Sequence, residues 1–282
     1  MKFLKWLPLV TASLCAGTPA ASQGTSPSIR RWALSYSGKQ LLAALRDYDL
    51  VVLDSDAQPR VVRSAGNRQV LLGYLSIGEA HHSRSWFAKT EAYRLKTNSN
   101  WPDAWQLDIR NPEWARLLVA EIAPAILARG YDGFFLDTID TAMELERADP
   151  VRCRGMRQAA ADIVRQLRRS FPRAVIAMNR GFDIAPEIGS IIDYVLAESV
   201  YHTWNFQTHQ YVRTSADTYA SQLQLLKTLA HDFPGLQILT LDYCDPGELS
   251  RVREIYRVQR PNGFVPYVST IDLTSIHPEP RR

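Results

Sequence analysis

From Arg31 onward the chain alternates short apolar runs with segments whose apolar residues recur every three or four positions. The runs at 32–36, 50–53, 70–75, 133–136, 175–178, 191–196, 238–241 and 264–268 lack polar alternation. Each therefore predicts a strand covered on both faces, as in a parallel sheet. Eight such strands alternating with helices predict an α/β protein, a single (β/α)8 TIM barrel over 31–277 with extended strand-to-helix loops. A helix is expected to open at Pro112 behind Asn111, which can cap it, and to end at Gly130. Within it Trp114, Leu117, Leu118, Ile122 and Ile126 share one face. Met156, Ala160, Ile163, Val164 and Leu167 mark a second helix that stops near Phe171 and Pro172. Tyr219, Leu223, Leu226 and Ala230 mark a third, and Leu249, Val252, Ile255 and Tyr256 a fourth. Each stripe reads as core facing the barrel.

Two stretches exceed a minimal repeat. Residues 79–110 carry Trp86, Phe87, Trp101 and Trp105, and residues 199–216 carry Tyr201, His202, Trp204, Phe206 and His209. Long loops on such a scaffold often shape the ligand site. The ends of the chain are of another kind. Lys2 and Lys5 flank a short apolar stretch, and small residues follow through Ala20, Ala21 and Ser22. Residues 1–22 read as a signal peptide, 23–30 as a flexible leader and 278–282 as a short tail. The expected product is periplasmic or secreted; the bulk of Leu14 before Cys15 speaks against a lipoprotein. Cys153 and Cys244 then remain, and an oxidising compartment permits a bridge if the fold brings them together.

A net charge of +4 on 282 residues is too small to mark a nucleic-acid binder, and the scattered arginines read as solvated surface. No glycine-rich phosphate loop follows an early strand. His81 and His82 are adjacent, and His202 and His209 form no recognised zinc motif, so no metal is expected.

The chemistry lies at the strand ends. Asp54 and Asp56 follow VVL, Glu79 follows LLGYLSIG, and Asp137 and Asp140 stand in GFFLDTID. Asn179 follows VIAM, Glu198 follows YVLA, and Asp242 follows ILTL. In a barrel these C-terminal ends converge on one face. Hydrolysis of a glycosidic bond commonly uses two carboxyl groups, one protonated to release the leaving oxygen and one charged at the sugar carbon or at a water. Asp137 and Glu198 form the best pair. Asp54, Glu79, Asn179 and Asp242 are candidate substrate contacts, each with a plainer alternative in capping or turn structure. Tyr74, Trp105, Tyr201, Tyr243 and Tyr267 are candidate sugar-stacking aromatics, alongside Trp204; packing is the competing reading.

These motifs carry a resemblance. YDLVVLDSD at 48–56, VLLGYLSIGEA at 70–80, WQLDIRNPEW at 105–114, GYDGFFLDTID at 130–140, MNRG at 178–181, DYVLAESVY at 193–201 and LTLDYC at 239–244 together span nearly the whole expected barrel. The chain resembles the endo-α-1,4-polygalactosaminidase-like glycoside hydrolases and hydrolase domains that process cationic exopolysaccharides. The resemblance implies an endo-acting hydrolase of an α-1,4-linked, galactosamine-containing polysaccharide, with Asp137 as nucleophile and Glu198 as acid/base. It implies that Glu79 and Asp242 lie at or behind the substrate site and that no organic cofactor takes part. A glycosidase of different sugar specificity and a non-catalytic exported polysaccharide-binding protein are the alternative readings. A carboxyl separation of about 5–5.5 Å supports retention of anomeric configuration, and about 6.5–9.5 Å supports inversion.

Overall fold

The computed structural model describes residues 27–37, 45–57 and 69–280. The expected signal peptide lies outside them. Eight parallel strands form one sheet: β1 (Trp32–Ser35), β2 (Leu50–Leu53), β3 (Val70–Ser76), β7 (Gly133–Asp137), β8 (Val175–Asn179), β9 (Tyr194–Glu198), β12 (Gln237–Tyr243) and β13 (Val265–Ser269). The sheet curls until its first and last strands face each other. At that seam the Trp32 indole N–H donates to the Val265 carbonyl at 2.8 Å, and the Trp32 ring packs on Tyr267. The result is a nearly closed (β/α)8 barrel with the expected strands, displaced at their ends by a few residues. The largest displacement is at β9, which begins at Tyr194 rather than at Ile191; Gly189–Ile191 forms a 3-10 turn instead.

The described helices are α1 (Pro112–Leu117), α2 (Ala123–Ala128), α3 (Ile139–Ala148), α4 (Met156–Ser170), α5 (Ala185–Ile188), α6 (Ala216–Asp232) and α7 (Leu249–Gln259). Asn111 caps α1 as expected, accepting the Glu113 N–H. The single helix expected from Pro112 to Gly130 is interrupted by a π-helical segment, Leu118–Ile122, that leads into Pro124. Proline has no N–H to donate and its ring crowds the carbonyl four residues back, so the wider turn accommodates it. Among the described residues, no helix is long and apolar enough to cross a membrane.

Both expected loops contain sheet. Within 79–110, β4 (Glu79–His81), β5 (Arg94–Thr97) and β6 (Ala104–Leu107) form an antiparallel sheet with β6 in the middle. Within 199–216, β10 (His202–Asn205) and β11 (Gln210–Arg213) form a hairpin. At the opposite end, the Gln237 side chain exchanges two hydrogen bonds with the backbone of Ile29, which is buried, and Tyr194 donates to the Pro27 carbonyl. The last residues of the expected leader are thus tied across the starts of β9 and β12. Cys153 and Cys244 are both buried and free, so the permitted bridge does not form.

Candidate active site

Parallel strands carry their C-terminal ends to one face of the barrel, and β9 and β12 each run two residues past the end of the strand before them. Ser76 aligns with Asp137 across β3 and β7, Asn179 with Leu196 across β8 and β9, and Glu198 with Leu241 across β9 and β12. Asp137, Asn179, Glu198 and Tyr243 are the last residues of four strands, and all four line one cavity of about 790 Å³ at the barrel mouth.

Asn179 links the two acids. Its amide nitrogen donates to Asp137 Oδ1 at 2.7 Å and to Glu198 Oε1 at 2.6 Å. Those two oxygens therefore lie at most 5.3 Å apart, the sum of the two bonds. The second Glu198 oxygen accepts from the Tyr243 hydroxyl at 2.7 Å. Burial, and after it the Asp137 charge, raise the Glu198 carboxyl to about 7 against the pull of Tyr243 and Asn179. A carboxyl group in this state holds a proton near neutral pH, as a general acid must.

The turns after these strands share an unusual backbone. Thr138, Arg180 and Ser199, each following one of the three linked residues, all have positive φ, between 55° and 58°. A β-branched residue such as Thr138 adopts this conformation only under constraint. Its hydroxyl supplies part of that constraint, accepting the Gly78 N–H at 2.9 Å and sharing a hydrogen bond with Ser76 Oγ at 2.8 Å. Gly78 packs so closely that a Cβ there would lie 2.2 Å from the Thr138 carbonyl oxygen.

Around this centre Glu79 is buried and held by Thr141 Oγ1 at 2.8 Å and by the Asn98 amide at 3.0 Å; burial pushes its carboxyl upward. Asp54 accepts two hydrogen bonds from Arg84, at 2.9 and 2.8 Å. Burial acts to raise Asp54, but the bonds and charge of Arg84 outweigh it and leave the carboxyl below its usual range. Tyr74 lines the cavity edge-on to Tyr36, with ring centroids 5.0 Å apart. Burial lifts both hydroxyls well above the usual tyrosine range, and the Asp137 charge adds to it.

Four residues singled out from the sequence lie off the cavity lining. Asp242 is fully buried, accepting the backbone N–H groups of Tyr201 and His202 at 2.7 and 2.9 Å and the Gln259 amide at 2.9 Å. Tyr201 points to α7, where its hydroxyl donates to Glu254 at 2.6 Å. Tyr267 is core at the barrel seam, packed on Trp32 and Tyr48. Trp105 follows Ala104, which does line the cavity, so strand alternation turns the Trp105 ring to the other face, toward Arg94. Conversely, Tyr36, Arg84, Asn98, Trp101, Arg180 and Phe206 line the cavity without having been picked out as site residues. Asp140 of the GFFLDTID motif also lines it; burial raises its carboxyl to about 6 although Arg180 lies 2.8 Å away. Aromatic content of the two insertions was the only sequence signal for Trp101 and Phe206.

Comparison with known proteins agrees with this geometry. The chain is 27% identical to the glycoside hydrolase domain of PelA from Pseudomonas aeruginosa, covering 88% of this chain and 100% of that one with a TM-score of 0.76. Ega3 of Aspergillus fumigatus, solved in complex with galactosamine, has the same fold at 16% identity, with 92% of this chain and 97% of that one covered and a TM-score of 0.63. An uncharacterized protein of Deinococcus radiodurans is 24% identical over 92% of this chain and 86% of its own length. The pattern of glycoside-hydrolase family GH114 matches residues 15–281. With two carboxyl groups joined through one amide at the mouth of a barrel of this kind, the chain belongs to glycoside-hydrolase family GH114.

Proposed function

We propose that the enzyme cleaves α-1,4-linked galactosamine-containing polysaccharide within the chain and with retention of anomeric configuration. The observation that carries the mechanism is the Asn179 bridge, because it holds the nearest oxygens of Asp137 and Glu198 within 5.3 Å. That spacing accommodates direct attack by a carboxylate and is tighter than the roughly 6.5–9.5 Å needed to seat a water between acid and base. Asp137 attacks the anomeric carbon as the bond to the glycosidic oxygen breaks, and Glu198 gives that oxygen its proton. Glu198, now a carboxylate, takes a proton from water as the water attacks the same carbon and displaces Asp137. Two inversions leave the original configuration, and Glu198 is protonated again.

Charge supports an amino sugar. Eight carboxyl groups line the cavity, Asp54, Glu79, Asp103, Asp137, Asp140, Glu144, Glu198 and Asp272, against the guanidinium groups of Arg84 and Arg180. Both arginines are already paired, with Asp54 and Asp140. The local field therefore opposes the +4 of the whole chain and draws protonated amines. The galactosamine bound to Ega3 supports the same choice. Export directed by residues 1–22 would carry the enzyme to such a polymer outside the cytoplasm.

The test is cleavage of deacetylated galactosamine polymer followed by NMR and product sizing. Retained configuration and a spread of oligomers are expected from the wild type, and strongly impaired cleavage from folded D137N and E198Q. Initial product of inverted configuration would reject the mechanism, and cleavage of neutral glycans alone would reject the substrate.

A further inference from the structure

Two half-exposed aromatic side chains meet at the cavity mouth. Trp101 is 50% exposed and Phe206 41% exposed, yet both line the cavity and their rings form an edge-to-face pair 6.0 Å apart. They come from different insertions, Trp101 from the turn between β5 and β6 and Phe206 from the tip of the β10–β11 hairpin. Those insertions follow β3 and β9, the strands that flank β7 and β8 with Asp137 and Asn179. The aromatic contact thus closes a bridge between the two sides of the mouth.

Neither ring sits on a loose loop. Asn98 Oδ1 accepts the N–H groups of Asn100 and Trp101, at 2.9 and 3.3 Å, while its amide holds Glu79 below. Asn205 Oδ1 accepts the N–H groups of Gln207 and Thr208, at 2.9 and 3.0 Å, and so fixes the turn that carries Phe206. Trp204, two residues earlier, lines the same cavity and packs on Tyr211 at 4.8 Å. Large apolar faces left in water on ordered turns are surfaces prepared for a flat apolar ligand, since little freedom remains to be lost on binding. The apolar face of a pyranose ring is such a ligand.

We infer that Trp101 and Phe206 form an aromatic bridge that stacks a sugar unit beyond the one being cleaved, and so sets the enzyme's preference for long chains. The inference rests on the polysaccharide reading above. Its test compares wild type with W101A, F206A, the double variant and W101F on a ladder of α-1,4-galactosamine oligomers and on the polymer, with folding checked by circular dichroism. The ratio of kcat/KM on polymer to kcat/KM on the shortest cleavable oligomer is expected to fall at least tenfold in the double variant. The loss should come through KM, and W101F should restore most of it. An unchanged ratio, or equal losses on short and long substrates, would overturn the bridge while leaving the hydrolase intact. Failure of the wild type to cleave any member of the ladder would instead overturn the substrate assignment, and this inference with it.

Discussion

Asn179 holds Asp137 and Glu198 with the same amide group, so neither acid can move without disturbing the other. The amide nitrogen stabilises the charged form of Glu198, as does the Tyr243 hydroxyl, while burial and the Asp137 charge oppose them. Activity that needs Glu198 protonated should decline as pH rises through about 7. Asn179→Ala and Tyr243→Phe each remove a donor to the carboxylate, so the alkaline limb of kcat/KM should move upward in both. Asn179→Ala should also lose about 100-fold in kcat/KM through misplacement of the pair. A limb that moved downward in a pH–rate profile would contradict the assignment.

The same carboxyl group opposes folding at high pH. Its value is about 7 in the folded protein against 4.5 for an ordinary glutamate. The protonated form is favoured by folding, so the contribution is fully present below about 4.5 and lost as pH rises through about 7. Glu198→Gln removes that loss. It should be more stable than wild type at pH 8 by about 1–2 kcal/mol, roughly 2–8 °C in Tm, with a smaller difference at pH 4. Thermal unfolding at the two pH values reads this directly, and an equal difference at both would refute it.

Gly78 touches the active centre through backbone alone. A methyl group there meets the Thr138 carbonyl oxygen at 2.2 Å, and Thr138 directly follows Asp137. Gly78→Ala should therefore cost about 1–3 kcal/mol of stability and displace Asp137, lowering kcat while much of the fold persists. Wild-type kcat in the variant, measured beside a thermal melt, would show that the contact gives way freely.

Asp242 offers a contrast, because it works behind the site. Asp242→Ala leaves two buried backbone N–H groups without an acceptor and should destabilise by about 2–5 kcal/mol. Asp242→Asn keeps one acceptor for those groups, and its new amide can donate to Gln259 Oε1, which is buried without a partner, once the Gln259 amide turns over. The asparagine variant should thus lie much nearer to wild type than the alanine variant in chemical denaturation. Equal losses would mean that the charge itself is required.

The placement of Asp242 also marks the limit of what the strand pattern reveals. Strands buried on both faces announce themselves as unbroken apolar runs, which is why the barrel was legible and why Asp137, Asn179 and Glu198 were found at strand ends. Which way a side chain faces is set by a single step along the strand. Asp242 and Tyr243 are neighbours, yet Tyr243 reaches Glu198 in the cavity while Asp242 turns toward Gln259 on α7. Ala104 and Trp105 divide in the same way. No composition or spacing records that parity where a run is apolar throughout. Trp101 and Phe206 were hidden for another reason: their contact joins residues from separate insertions, and only the closed barrel brings those together.

Left-handed residues after β7, β8 and β9 bear on how far this enzyme can be hardened. Glycine at 138, 180 or 199 would relax the local backbone, but it would add freedom to the unfolded chain and, at 138, remove the acceptor of the Gly78 N–H. It would also slacken the turns that follow the two acids and their shared amide. The strained turns at three adjoining strand ends therefore leave little room for hardening, and added thermal robustness is best sought on the far side of the barrel.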